Sequence, residues 1–233
     1  MLRHVNFMTN TLKLPQLEIF YPAPIGSEIL FTAGGRRPSD EFFMEVSQGR
    51  KIFAVDKGIE ICRDFNILPE ILIGDFDSAE SSAVNWASKN KIPIERHPVD
   101  KDLTDTQLGL KLVDEKKFLL ITGIFGGRFD HLFSNVFTCA TSKIKTCLAD
   151  EREIIFFVKG GECFDVKFFV KPEALSLLPI TETVEGVTLK NVRWELDGAT
   201  LRQNFPTAVS NRVQSDTIKI SVTTGTLAVY FNF

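Results

Sequence analysis

Gly74-Asp75-Phe76-Asp77-Ser78 follows the apolar run Ile71-Leu72-Ile73 without a spacer. Such a run reads as a buried parallel strand, and ligands of open α/β sheets sit beyond the carboxyl ends of their strands. Two carboxylates two residues apart at that position repel each other unless water or a cation screens them. Hard oxygen ligands in a turn suit Mg²⁺, which takes one or two carboxylates together with substrate phosphates. An Asx-turn followed by a helix cap at Ser78 accounts for the same residues, because Asp and Ser serve both roles. On these residues alone the two readings stand level.

Acids and glycines recur at the other strand ends. Ile52-Phe53-Ala54-Val55 ends in Asp56, with Gly58 close behind. Ile92-Pro93-Ile94 leads into Asp100-Lys101-Asp102-Leu103-Thr104-Asp105. Phe118-Leu119-Leu120-Ile121 leads to Gly123 and then Gly126-Gly127-Arg128-Phe129-Asp130-His131, and Thr146-Cys147-Leu148-Ala149 ends at Asp150. In a parallel sheet all of these share one edge, whereas the opposite connections carry Asn66, Lys91, Lys116 and Lys117. Gly126-Gly127 permits close backbone approach or positive φ, and amides at the following helix start, beside Arg128, form a corner suited to phosphate. A glycine turn with a surface arginine is the plain alternative. His131 suits fixing a loop as well as moving a proton. No Walker loop and no Gly-x-Gly-x-x-Gly is present, so phosphate binding falls to metal, Lys101, Arg128 and backbone amides.

Positioning these groups requires alternating strands and helices. Apolar runs at 29–31, 52–55, 71–73, 92–94, 118–121 and 146–149 are separated by helix-like stretches at 40–47, 59–65, 79–90, 104–115 and 130–142. Thr104-Asp105 opens its helix with capping chemistry, and Leu108, Leu112 and Val113 give it an apolar stripe. The pattern predicts an α/β domain over 25–150 with a mostly parallel, Rossmann-like sheet. After about residue 152 the texture changes to Val-, Phe-, Ile- and Thr-rich runs at 154–158, 162–170, 174–178, 186–192, 217–223 and 227–233. Gly160-Gly161, Pro179, Asp197-Gly198 and Thr224-Gly225 punctuate them, which predicts an all-β sandwich domain over 151–233. Residues 1–24 read as an irregular extension.

A chain of 233 residues suits one large domain or two modest ones. Its net charge of −3 gives no reason to expect nucleic acid as a partner. Four cysteines without a Cys-x-x-Cys pair, and only three histidines, argue against zinc and against a disulfide framework. The start of the chain lacks the apolar core of a signal peptide, and no run approaches the roughly 18 residues of a membrane span. The expectation is a soluble cytoplasmic protein with no membrane partner.

Taken in order and spacing, the Gly74–Ser78, Asp100–Asp105 and Gly126–His131 motifs resemble thiamine pyrophosphokinase (thiamine diphosphokinase). Ser176-Leu177-Leu178-Pro179, Gly186 followed by Trp194-Glu195-Leu196, and Ser210-Asn211 agree, so the likeness runs from about residue 29 to the C-terminus. The resemblance implies an α/β catalytic domain, a β-sandwich thiamine-binding domain, and a homodimer with sites at the subunit interface. It implies transfer of pyrophosphate from ATP to the thiamine hydroxyl with release of AMP. Carried over by motif, Asp75, Asp77 and Asp105 resemble the Mg²⁺-site acids, and Asp56, Gly58, Asp100 and Asp102 line the same cleft. Lys101, Thr104, Gly126, Gly127 and Arg128 would meet phosphates, and Asp130 would sit near the reacting groups. Asp100 and Asp130 are the candidates for the base that takes the hydroxyl proton. Ser210-Asn211 resembles the pair that binds the thiamine pyrimidine, and Trp194 lines that pocket or is a buried core residue.

One departure stands out. The family usually carries Ala-Asp-Gly-Gly-Ala after the second strand, and this chain has Val55-Asp56-Lys57-Gly58-Ile59. Lys57 either points to solvent or adds charge to a nucleotide cleft. Two other functions remain in view: a metal-dependent phosphohydrolase, which also wants Asp-x-Asp at a strand end, and a nucleotide or thiamine sensor without turnover.

Overall fold

A computed structural model describes residues 10–233. In chain order, two short strands, β1 (Thr11–Lys13) and β2 (Leu17–Phe20), come first. An alternating segment follows: β3 (Glu28–Thr32), α1 (Asp40–Ser47), β4 (Lys51–Val55), α2 (Ile59–Asp64), β5 (Ile71–Gly74), α3 (Ser81–Lys89) and β6 (Ile94–Arg96). It continues with α4 (Asp105–Lys111), β7 (Phe118–Thr122), α5 (Phe129–Thr141) and β8 (Lys145–Ala149). Strands then take over: β9 (Glu153–Lys159), β10 (Cys163–Phe168), β11 (Ala174–Pro179), β12 (Thr183–Lys190), β13 (Leu196–Arg202), β14 (Thr217–Ser221) and β15 (Thr226–Asn232). The chain is therefore mixed α/β. Among the described residues no helix is long and apolar enough to cross a membrane.

Two compact units emerge, one of Glu28–Asp150 and one of the described residues up to 27 together with Glu151–Phe233. In the first, six strands pair in parallel in the order β8-β7-β3-β4-β5-β6. β7 is buried at all five positions, as its run of apolar residues demands of a central parallel strand. β3 sends the chain to β4 on one side and pairs with β7 on the other, so the strand order reverses between β3 and β7. Crevices of this kind, at the carboxyl ends of strands, are where open α/β sheets hold ligands.

The second unit is antiparallel. One sheet runs β1-β2-β10-β14-β12-β13, and β11-β15-β9 form a further antiparallel set. Phe156 packs between Phe164 and Phe231, with ring centroids 5.6 and 6.1 Å away, and all three rings are buried. The expected irregular extension is corrected here. Residues 1–9 lie outside the described residues, but β1 and β2 form a hairpin whose Leu12, Leu17 and Ile19 are fully buried, and β2 pairs with β10. A strand was also not expected at 196–202. Asp197-Gly198 is not a turn but part of an irregular stretch of β13, where the register against β12 shifts and Gly198 takes a φ of 63°. Finally, β6 lies two residues later than its expected run, because Pro93 has no N–H to give a ladder and only its carbonyl is used, by Leu72 N at 2.8 Å.

Candidate active site

The carboxyl end of β4 turns at once into a 3₁₀ turn over Asp56–Gly58, with Asp56 at a φ of 47°. β5 ends beside it at Gly74, whose φ is 145° and whose missing Cβ would lie 3.2 Å from both Cα and Cβ of Asp56. Only glycine allows that backbone and that approach. The two strand ends thereby bring Asp56, Asp75 and Asp77 together, with one ligand atom from each lying within 4.8 Å of the others. Asp77 N donates to Asp75 Oδ1 at 3.1 Å, so the loop is an Asx-turn as well as an acidic cluster. The two readings of this stretch are compatible.

Ser78 does not cap the next helix. Its hydroxyl donates to Asp56 Oδ2, and α3 begins after Glu80. Glu80 is held by Arg63 Nη1 at 2.6 Å, and its N–H donates to Glu60 at 2.9 Å, so α2 fixes where the loop ends. Phe76, at a φ of 66°, is buried beneath Arg96, whose guanidinium carbon stands 4.6 Å from the ring centroid. Arg96 Nη1 also donates to the Asp75 carbonyl at 3.2 Å.

Lys101 reaches into the cluster from the next loop. Its ammonium donates to Asp75 Oδ2 and lies 3.3 Å from Asp105 Oδ1. Asp105 is the first residue of α4, and the helix is started by Thr104 in a capping box with Gln107, at 3.3 and 2.9 Å. Thr104 thus caps its helix as its sequence position predicts, and its hydroxyl is engaged there. Asp100 and Asp102 are exposed and lie outside the cluster.

Electrostatics separate the acids. Burial pushes the Asp75 carboxyl up, but the hydrogen bonds from Lys101 and Asp77 and the Lys101 charge outweigh it and leave the group below its usual range. Asp77 is pushed up, first by the Asp75 charge and then by burial. Asp105 is pushed up by burial, only partly opposed by Lys101. Lys101 is raised, because its carboxylate partners outweigh its own burial. Asp56 Oδ1 is buried with no hydrogen-bond partner. An oxygen in that state, facing two further carboxylates, is suited to a hard cation.

The β7–α5 loop supplies the positive side. Gly126 and Gly127 have φ of 69° and 66°, and Arg128 precedes α5 as its N-cap residue without a side-chain cap bond. Arg128 grips Asp130 through Nε at 3.1 Å and Nη2 at 2.6 Å, both side chains being exposed. That hydrogen-bonded pairing lowers the Asp130 pKa and raises that of Arg128. Along α5, the rings of Phe129, Phe133 and Phe137 contact in series at tilted angles, with centroids 5.8 and 4.8 Å apart, and the first two are exposed.

A second glycine loop went unnoticed in the sequence. Gly34-Gly35-Arg36-Arg37 leaves β3 at the strand-order reversal, and its amides bond the β7–α5 loop: Gly35 N to Gly123 O at 2.6 Å and Arg36 N to Phe125 O at 2.5 Å. The Arg36 guanidinium grips Asp150 at 2.9 and 2.6 Å, and Asp150 is fully buried. Asp150 is therefore part of this internal brace and not of the open acidic edge. A Gly-Gly pair one residue beyond the first strand of the alternating segment was the available signal. Lys57 is exposed, and its stem lies against Gly34.

In the antiparallel unit, Asn211 is buried and its amide is spent on structure. Oδ1 accepts from Trp194 N at 3.1 Å and Arg212 N at 2.8 Å, while Nδ2 donates to Trp194 O at 2.8 Å. Ser210, at a φ of 59°, donates its N–H to Ser176 Oγ at 3.0 Å. Trp194 is 54% exposed, which removes the buried-core account of it, and its ring carries Arg193 at 4.8 Å.

Comparison of the chain with known proteins gives one family. The model of the thiamin pyrophosphokinase catalytic domain matches residues 44–148, and that of the thiamin pyrophosphokinase vitamin B1 binding domain matches residues 167–227. Thiamine pyrophosphokinase of Bacillus subtilis (strain 168) is 28% identical over 164 residues, 68% of this chain and 76% of that protein. Thiamine pyrophosphokinase 1 of Oryza sativa subsp. japonica is 23% identical over 164 residues, 66% of this chain and 62% of its own length. In fold, the crystal structure of the B. subtilis protein aligns with a TM-score of 0.78 at 24% identity, covering 88% of this chain and 99% of that one. Thiamin pyrophosphokinase from Candida albicans gives 0.76 at 14% identity, covering 89% of each. With both domain models matched in order and together spanning most of its length, the chain belongs to the thiamin pyrophosphokinase family.

Proposed function

We propose that the acidic edge of the parallel sheet is the Mg²⁺–ATP site of a thiamine diphosphokinase, the activity of the chain's family. In this reading the thiamine hydroxyl oxygen bonds to the β-phosphorus of ATP. The bond from that phosphorus to the α,β-bridging oxygen breaks, and AMP leaves. The Glu28–Asp150 unit is then a Rossmann-like catalytic domain, and the antiparallel unit a β-sandwich that holds thiamine.

The observation that carries it is the Asp56–Asp75–Asp77 cluster, lying within the segment matched by the catalytic-domain model. Its donor set, all carboxylate oxygen with one buried oxygen unpartnered, fits Mg²⁺. Asp56 thus joins Asp75 and Asp77 as the residues that would hold the ion, and Asp105 stands behind Lys101. Bound there, the ion would neutralise polyphosphate charge. The chain's own part is positioning and charge stabilisation, which dominate phosphoryl-type transfer. Arg128, with the amides after Gly126 and Gly127, would take phosphate oxygens. Moving Arg128 from Asp130 to a phosphate would free Asp130 to receive the hydroxyl proton, with Asp100 as the other candidate base. Trp194, whose backbone is held by Asn211, would cover thiamine, with Ser210 preceding Asn211 in the chain.

A homodimer with sites completed by the neighbouring copy goes with this reading. The exposed Phe129 and Phe133 on α5, next to Arg128, support a second copy as their cover. A cytoplasmic setting, with no nucleic acid or membrane partner, belongs to the same reading. The test is to incubate the full chain with ATP and Mg²⁺, with and without thiamine. Equal yields of AMP and thiamine diphosphate are expected, and Asp75→Asn should abolish them without unfolding the protein. Thiamine-independent release of ADP and phosphate would favour the phosphohydrolase, and binding without turnover the sensor.

A further inference from the structure

Every oxygen of Asp75 is already engaged. Oδ1 accepts from Asp77 N at 3.1 Å, and Oδ2 accepts from the Lys101 ammonium. Lys101 is itself only 14% exposed and lies 3.3 Å from Asp105, so it ties the β5 loop to the start of α4. Asp56, by contrast, keeps Oδ1 without a partner. A cation ligated by Asp56, Asp75 and Asp77 through Asp75 Oδ2 therefore meets an ammonium already seated on that oxygen.

We propose that Lys101 is a tethered counter-ion that a divalent cation displaces from Asp75, so that the lysine weakens cation binding to the protein alone and is released toward nucleotide phosphate when the cation binds. This rests on the metal-site reading above. The charge inventory supports it: against the four acids Asp56, Asp75, Asp77 and Asp105 stand the Arg96 guanidinium, which is held on the Asp75 carbonyl and the Phe76 ring, and Lys101, which alone of the two sits on a carboxylate of the group. While Lys101 sits on Asp75 it both neutralises a ligand and repels an incoming dication. Once displaced, its four-carbon stem keeps the ammonium within reach of the cluster, where an anion arriving with the cation would receive it. The protein then favours the cation–nucleotide complex over either component alone.

A unit positive charge about 4 Å from a dication repels it appreciably even at the dielectric constant of water. Removing the lysine charge should therefore tighten nucleotide-free cation binding by roughly tenfold or more. The experiment titrates Mn²⁺ into the full chain without nucleotide, followed by calorimetry and by loss of the free Mn²⁺ paramagnetic resonance signal. Lys101→Met should bind Mn²⁺ about tenfold more tightly than wild type and a non-hydrolysable ATP analogue more weakly. Lys101→Gln should share the gain, and Lys101→Arg should stay near wild type. Unchanged or weaker Mn²⁺ binding in folded Lys101→Met and Lys101→Gln overturns the proposal while leaving the metal site standing. If wild type binds no Mn²⁺ at all, with or without nucleotide, the metal-site reading fails and takes this inference with it.

Discussion

Replacing Gly58 by alanine tests how closely the Asp56 turn is seated against the central sheet. A Cβ built at Gly58 would lie 1.9 Å from the Thr32 carbonyl oxygen, 2.4 Å from its carbon and 2.9 Å from Ala33 N. Real Cβ contacts keep at least 3.0 Å, so the turn or the end of β3 must yield by about 1 Å. All three obstacles are backbone, and β3 is paired on both sides, so no side chain can swing away to absorb the change. Overpacking of this kind costs about 1–3 kcal/mol, and a main-chain obstacle places it near the upper value. Gly58 has φ −58° and ψ −16°, values alanine adopts readily, so the unfolded-state gain of about 0.4–1 kcal/mol applies in full. The net expectation is a loss of about 2 kcal/mol. Asp56 lies on the same turn, and a misplacement of about 1 Å in a catalytic arrangement can lower turnover on the order of 10²-fold.

Urea denaturation reads the first effect. The two tryptophans separate the units, because Trp86 lies on α3 and Trp194 in the antiparallel unit. In a Trp194→Phe background, the transition reported by Trp86 should move, with an unchanged slope. Gly127→Ala is the control: its Cβ meets nothing within 4 Å, but a φ of +66° charges it about 1–2 kcal/mol of backbone strain. Should Gly58→Ala prove less damaging than Gly127→Ala, or fall within about 0.5 kcal/mol of wild type, the close-packing argument is wrong.

Two further outcomes are expected. Arg36→Met leaves the fully buried Asp150 without its guanidinium partner and should cost about 2–4 kcal/mol, a figure reduced from that for fully buried pairs because Arg36 is partly exposed; a shift below about 1 kcal/mol in the Trp86 transition would refute the brace. Cation affinity should weaken as pH falls through the range in which Asp77 and Asp105 take up protons, which their raised pKa values place above that of ordinary carboxylates. The same raised groups penalise the folded protein without cation while ionised, so that penalty is relieved as pH falls through their folded values, whereas Asp75, held low, loses its stabilising contribution only further down. A Mn²⁺ dissociation constant that is flat over this window would contradict the assignment.

Strand ends of the parallel sheet were legible because a strand buried on both faces must be an apolar run, and the residue after it must be on the functional edge. The same logic has no hold on β1 and β2. β2 pairs with β10, which begins at Cys163, and a pairing that distant leaves no local mark beyond the spacing of Leu12, Leu14, Leu17 and Ile19. β13 was hidden for a different reason: Asp197-Gly198 has the composition of a turn, and only the register shift against β12 shows the glycine serving an irregular strand.

Residue type also fails to separate the acids of the edge from one another. Asp56 and Asp150 both follow the last residue of a parallel strand, and in sequence they are equivalent. What distinguishes them is a partner 114 residues away: Arg36 saturates one oxygen of Asp150 twice over, while Asp56 keeps a buried oxygen with nothing to accept from. Asp105 lies between these cases, near an ammonium but without the geometry of a hydrogen bond. A carboxylate already satisfied by a guanidinium gains little from a cation and loses its brace in exchanging it. One with a buried oxygen left open beside two like charges is relieved by a cation, since the ion offsets both the desolvation cost and the repulsion. The site is therefore set less by how many acids reach the edge than by how each is already held: Asp150 by a guanidinium locked in the brace, Asp75 by an ammonium on a long stem, and Asp56 with one buried oxygen left open.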